Sequence, residues 1–214
     1  VLGTEKKRCR LAVFASGSGS NLQALLDYER AHSDWPAEIV LVVSDKPACT
    51  ALERARAAGV PTFAVDVKTY PDKAAYEQAV LTALQKSRVD WLVLAGYMRL
   101  IGPTLLHAYP ERILNIHPSL LPAFPGRTAV RDTLAAGVAV TGVTVHLVDE
   151  GMDTGPIVAQ QSVPVDSGMT EAELLERIHA VEHVLYPATV TDVVNRWLSG
   201  RPMLARMEPA ADKI

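Results

Sequence analysis

The chain has 214 residues, 49% of them hydrophobic and 21% charged, and carries a formal net charge of −3. That length buries a real core in one large α/β domain or two small ones, and the balance excludes a disordered chain. An acidic total leaves no basic footprint for nucleic acid or an anionic membrane, while a local basic pocket for a small phosphate stays open. Cys9 and Cys49 form neither a CxxC pair nor a disulfide framework, which predicts a reducing, cytoplasmic compartment. Val1 to Arg10 is charged and lacks the apolar run of a signal peptide, and no later stretch approaches membrane-spanning length.

Leu11 to Ala15 is an apolar run that ends in Ser16-Gly-Ser-Gly-Ser-Asn21, after which Leu22 to Asp27 repeats apolar residues at helical spacing. Strand, glycine loop and helix suit a phosphate, because glycines let backbone N–H groups approach it and the helix N-terminus adds partial positive charge. A tight turn without a ligand is the competing reading. No Gly-Lys-Ser/Thr follows, so this is not a Walker loop. Leu22 stands where the dinucleotide pattern needs its third glycine, although Asp45 after the next strand imitates the ribose-binding acid. Ile39 to Val43 reads as a doubly covered parallel strand, and Ala51 to Ala58 as a helix stopped by Gly59. Val60 to Val65 is a third strand, placed early or at an edge by its proline, Pro61. Pro71-Asp72 opens a helix through about Gln85, and Trp91 to Ala95 is a fourth strand. The alternation βαβαβαβ predicts a parallel sheet with helices on both faces.

Gly96 to Pro103 is a loop with more apolar bulk than a solvated turn needs. Met98, Leu100 and Ile101 either pack inward or make a wall for a flat heterocycle. Ile113-Leu-Asn-Ile-His117 follows, a short apolar strand with two polar residues. Alternation puts Ile113, Asn115 and His117 on one face, and Pro118 ends the strand there, so the amide and the imidazole sit at its carboxyl end. In open parallel sheets that end faces the ligand crevice. A Pro-rich loop runs to Gly126 and a helix from Arg127 to Ala136.

Thr141 to Val148 alternates with period two, which predicts an antiparallel strand with Thr144 and His146 on one face. His146 reads there as a packed or hydrogen-bonded strand histidine. Asp149 to Pro156 is a loop with carboxylates at Asp149, Glu150 and Asp153 that lacks the ligand spacing of a calcium loop. Ile157 to Val165 is a further strand, bent near Pro164. Thr170-Glu-Ala-Glu173 is a capping box that opens a long helix with the stripe Leu174, Leu175, Ile178, Val181 and Leu185. Glu182 borders that buried face, as the partner of either a nearby arginine or a ligand. Arg201 to Ile214 reads as an exposed polar extension.

An amide donor, an imidazole and a carboxylate are what acyl transfer to an amine needs when no covalent intermediate forms. The amide and a protonated imidazole stabilise the oxyanion while the carboxylate moves protons, and no metal is required. His117, His146 and Asp153 can be drawn as a metal triad, but their spacing matches no ligand motif. Ser119 lacks the Gly-x-Ser-x-Gly surroundings of a nucleophile.

Ser16 to Ala24, Leu94-Ala-Gly-Tyr-Met-Arg99, Asn115-Ile-His-Pro-Ser-Leu-Leu-Pro122 and Gly142 to Pro156 together resemble the phosphoribosylglycinamide formyltransferases of purine synthesis. The resemblance runs from about Leu11 to about Trp197. It implies a formyltransferase fold, a mostly parallel, Rossmann-like doubly wound α/β sheet with an antiparallel C-terminal strand region. It further implies a single domain over 1–200 with an extension over 201–214. The implied reaction is transfer of the formyl group of 10-formyltetrahydrofolate, a co-substrate, to the amine of glycinamide ribonucleotide, by direct amine attack and without a metal. Carried over by position, Asn115, His117 and Asp153 are the catalytic set. Gly19, Ser20 and Asn21 match the loop that holds the ribonucleotide phosphate, and Glu182 matches a glutamate that contacts the same substrate. Tyr97, Met98, Arg99, Leu100 and Ile101, with Val148 and the loop to Asp153, resemble the folate wall. Many members have His near Thr128, where this chain reads Gly126-Arg-Thr-Ala129, so a substrate contact made there is not carried over, whereas the central three residues are. Formyltetrahydrofolate hydrolases share the formyl-handling residues but usually carry an added N-terminal domain, and methionyl-tRNA formyltransferases need a larger, more basic chain. Partners are expected to be small molecules only, with the chain a monomer or homodimer.

Overall fold

The computed structural model describes residues 8–203. The bulk of the extension read over Arg201 to Ile214, and most of the charged start, lie outside them. Seven strands form one sheet in the order β3-β2-β1-β4-β5-β6-β7. β1 (Cys9–Phe14), β2 (Ala37–Ser44), β3 (Thr62–Ala64), β4 (Trp91–Leu94) and β5 (Ile113–His117) run parallel. β6 (Val140–Leu147) is antiparallel to β5, and β7 (Ile157–Pro164) to β6, as the period-two alternation predicts. Apolar alternation along β1 splits the core between the two faces. Leu11, Val13 and Ala15 pack with α1 (Ser20–Ala31), α2 (Thr50–Ala57), α5 (Ala129–Ala136) and α6 (Glu171–Leu198). Ala12 and Phe14 face α3 (Lys73–Lys86) and α4 (Pro103–Ala108).

From β1 the chain builds outward in one direction through β2 and β3 and in the other through β4 and β5. The loops after β1 and β4 therefore diverge at the sheet's switch point, where open α/β sheets form their crevice. They are stitched together there. The Ser16 amide donates to the Gly96 carbonyl at 3.1 Å, and the Met98 amide to Ser16 Oγ at 3.0 Å.

Several local expectations are corrected. Pro71 lies outside α3, which opens on Asp72 as its cap, the side chain accepting from the Ala75 amide at 2.8 Å. α4 lies inside what reads as an irregular connection, with Pro103 at its start. The irregularity in the last hairpin falls between Val145 and His146, not at Pro164, which closes the edge strand opposite Val140. Leu175 is exposed, and the face that α6 buries instead runs through Leu174, Ile178, Glu182 and Tyr186. The capping box at Thr170 and Glu173 is present as read.

Candidate active site

The glycine loop turns on Gly19, which has φ +72° and caps α1 without a side-chain hydrogen bond. A Cβ there would lie 2.7 Å from Cα of Ala51, so only glycine combines this backbone with close packing on α2. The first N–H groups of α1, at Ser20 and Asn21, are left without a capping side chain, which is the arrangement that receives an anion. Asn21 points elsewhere. Its side chain is buried and donates from Nδ2 to Glu182 Oε2 at 2.8 Å, which joins α1 to α6. Glu182 thus pairs with an amide, with His179 4.0 Å away, and among the described residues with no arginine. Burial pushes its carboxyl up to about 7. Asn21 Oδ1 is buried and has no donor among the described residues.

On β5, Ile113 packs into the second core while Asn115 and His117 continue along the same face to the strand's end. The antiparallel register sets Asn115 opposite His146 and His117 opposite Thr144. These pairs fix two tautomers. His146 Nδ1 lies 2.8 Å from the Leu147 carbonyl, which only accepts, so Nδ1 carries the proton and Nε2 is a lone pair. Asn115 Nδ2 donates to that lone pair at 3.1 Å, and the amide is held with its NH₂ end toward His146. Burial lowers the pKa of His146 and keeps it in this neutral form. His117 Nε2 donates to the Phe124 carbonyl at 2.9 Å, which leaves Nδ1 facing Asp153 Oδ2 at 3.5 Å.

Asp153 sits in the left-handed region, φ +56°, in the loop after β6. Its Oδ2 accepts from the Gly126 amide at 2.8 Å, and its Oδ1 lies 3.7 Å from His146 Nε2. Asn115, His117, His146 and Asp153 therefore form one cluster. Among the described residues no group of three or more His, Cys, Asp or Glu is arranged to hold a metal. Ser119 is buried with its hydroxyl donating to the Ala123 carbonyl at 2.5 Å. Thr144 Oγ1 donates to the Ser119 carbonyl at 2.6 Å and accepts from the Leu121 amide, which moulds the Pro-rich loop around His117.

The wall expected after β4 divides by exposure. Met98 and Leu100 are about half exposed, at 47% and 51%, whereas Ile101 is buried in the second core. Tyr97 turns inward, edge-on to Phe14, with its hydroxyl 2.8 Å from that of Tyr76. Burial drives its pKa far upward, so it stays a neutral phenol. Val148 packs against the same core. Arg127, which precedes the position where a histidine was expected, donates to the Met98 carbonyl at 2.7 Å and ties the Pro-rich loop to the wall. Thr128 donates instead to Asp132 at 2.6 Å.

A family model described as formyl transferase matches residues 9–190. The phosphoribosylglycinamide formyltransferase of Bacillus subtilis (strain 168) is 50% identical over 185 residues, which is 86% of this chain and 94% of that protein. The chain belongs to the phosphoribosylglycinamide formyltransferase family. The fold agrees. A crystal structure of the phosphoribosylglycinamide formyltransferase from Bacillus halodurans superposes with a TM-score of 0.84 at 51% identity, covering 88% of this chain and 96% of that one. A glycinamide ribonucleotide transformylase from Geobacillus kaustophilus gives 0.82 at 54% identity over 89% and 98%. His146 is the buried, hydrogen-bonded strand histidine that its place in the sequence predicts, although its partner Asn115 depends on the β5–β6 register, and Arg127 carried no signal that the sequence reading used.

Proposed function

We propose that the chain transfers the formyl group of 10-formyltetrahydrofolate to the amine of glycinamide ribonucleotide in de novo purine synthesis. The observation that carries this reading is the cluster of Asn115, His117, His146 and Asp153 at the carboxyl end of β5, in a chain of this family. The amine attacks the formyl carbon, and the carbonyl π electrons move to oxygen. Asn115, with one N–H committed to His146, has its second for the oxyanion, and a protonated His117 Nδ1 supplies another donor. Asp153 accepts the proton released by the attacking nitrogen. The tetrahedral intermediate collapses as the folate nitrogen leaves and takes up a proton.

The ribonucleotide phosphate is assigned to Gly19, Ser20 and Asn21, and the rest of that substrate to Glu182. The uncapped N–H groups of Ser20 and Asn21 support the phosphate, and the unpaired Asn21 Oδ1, a buried acceptor, supports a hydroxyl or amine donor of the same substrate. Met98 and Leu100, with Tyr97, Arg99, Ile101 and Val148 behind and beside them, are assigned to the folate. The reading includes one domain over 1–200, cytoplasmic and monomeric or homodimeric, acting on small molecules. Among the described residues no helix is long and apolar enough to cross a membrane.

The test follows 10-formyltetrahydrofolate consumption by the purified protein with and without glycinamide ribonucleotide. Consumption only with the ribonucleotide, with formylated product, is expected. Release of formate without it would make the protein a hydrolase, and no consumption either way would remove the reading.

A further inference from the structure

The backbone from Phe124 to Arg127 hydrogen-bonds both His117 and Asp153. The Phe124 carbonyl accepts from His117 Nε2 at 2.9 Å, and the Gly126 amide donates to Asp153 Oδ2 at 2.8 Å. Two of these four residues lie in the left-handed region, Phe124 at φ +52° and Gly126 at φ +89°. Glycine adopts it freely, whereas phenylalanine is strained there. Local preference therefore does not hold this shape, and contacts from outside the segment must. On the upstream side Thr144 Oγ1 supplies one by donating to the Ser119 carbonyl, while Ser119 Oγ donates to the Ala123 carbonyl.

On the downstream side the anchor is Arg127. Among the described residues it is the one side chain of 124–128 whose hydrogen bond leaves both this segment and α5, since Thr128 bonds Asp132 in the first turn of that helix. Its guanidinium has no carboxylate within ion-pair reach among the described residues, and Nη2 donates to the Met98 carbonyl at 2.7 Å. The charge therefore strengthens a single bond to backbone. Met98 is a fixed target, because its own amide is held by Ser16 Oγ at 3.0 Å and Ser16 in turn by Asp45 at 2.5 Å. One run of contacts thus leads from the wall through Arg127 and the Gly126 peptide to Asp153. We propose that Arg127 is a positioning residue for Asp153, fixing the Gly126 amide so that the carboxylate stands where it takes the proton of the attacking amine. The proposal rests on the function proposed above. Arg127 is itself exposed, so removing it opens no cavity in the core.

The test crosses Arg127→Ala with Asp153→Asn. Alone, Arg127→Ala should lower kcat about tenfold and leave the ribonucleotide KM unchanged, since a misplacement on the order of 1 Å is enough for such a loss. In the Asp153→Asn background, followed as single-turnover formyl transfer, the same change should cost less than about twofold more, because no carboxylate remains to be placed. An unchanged kcat in Arg127→Ala, or an equal loss in both backgrounds, overturns the proposal. Amide hydrogen exchange reads the same contact without turnover. Protection of the Gly126 amide is expected to fall about tenfold in Arg127→Ala while the amides of β5 keep theirs, and undiminished protection at Gly126 overturns the proposal. If β5 loses protection as well, the variant has not folded, and Arg127→Met, which keeps the stem without the donor, is held to the same criteria. If the unaltered protein transfers no formyl group, the function reading has failed, and exchange at Gly126 alone decides whether Arg127 fixes that peptide.

Discussion

The oxyanion role proposed for Asn115 requires its amide to face the right way, and an amide has two nearly equivalent orientations. The orientation is set two hydrogen bonds away, where Nδ1–H of His146 donates to the Leu147 carbonyl and leaves Nε2 as the acceptor for Asn115. His146→Ala removes that acceptor without touching the reacting atoms. It should lower kcat on the order of 10²-fold, the scale of losing one oxyanion donor, and leave the ribonucleotide KM near its original value. Steady-state kinetics check this, and an unchanged kcat would make His146 a packing residue. Asp153→Asn keeps the shape of the Gly126 contact but cannot accept a proton at neutral pH. Turnover should fall about 10²–10⁴-fold with little change in either KM, and substantial retained activity would take Asp153 out of the chemistry.

At the scale of elements, the wall loop is pinned at both ends. Ser16 holds it at Met98, and at the far end the buried carboxylate of Glu77 on α3 accepts the Gly102 amide at 2.5 Å. A Cβ on Gly102 would lie 2.7 Å from both Glu77 carboxylate oxygens. Gly102→Ala should therefore displace the loop and raise the KM for 10-formyltetrahydrofolate about tenfold, while the ribonucleotide KM stays put. Equal effects on both substrates would place the damage elsewhere. Neither the pin nor α4 was legible in the sequence. A six-residue helix behind Pro103 shows too few periodic positions to separate from a loop, and a contact across 25 residues has no local signature. Asn115 and His117 were legible because strand alternation and Pro118 determine their face and their end of the strand. Pro164 misled for a different reason, since an edge strand tolerates proline without bending.

For the molecule as a whole, the alternating elements foretold a mostly parallel sheet, but not that β1 would sit with two strands on one side and four on the other. Strand order is decided by which crossovers pack, and it is this order that carries Asn21 on α1 to Glu182 on α6, 161 residues apart. The cost of that closure is a buried carboxyl raised to about 7 from an ordinary 4.5. Between those two values the native state binds more protons than the unfolded chain, so stability falls as pH rises and the contribution is lost above the folded pKa. The full shift corresponds to on the order of 3 kcal/mol. Burial, with His183 nearby, lowers the pKa of His179, which lies 4.0 Å away, and so weakens any cationic offset to Glu182. Glu182→Gln keeps the shape and removes the titration. Urea unfolding at about pH 5 and pH 8 should show the unaltered protein losing stability between the two and the variant losing less, by an amount approaching that figure. Parallel losses in both proteins would mean that Glu182 is ionised in the native state across the whole range, and that Asn21 alone is enough to hold its charge.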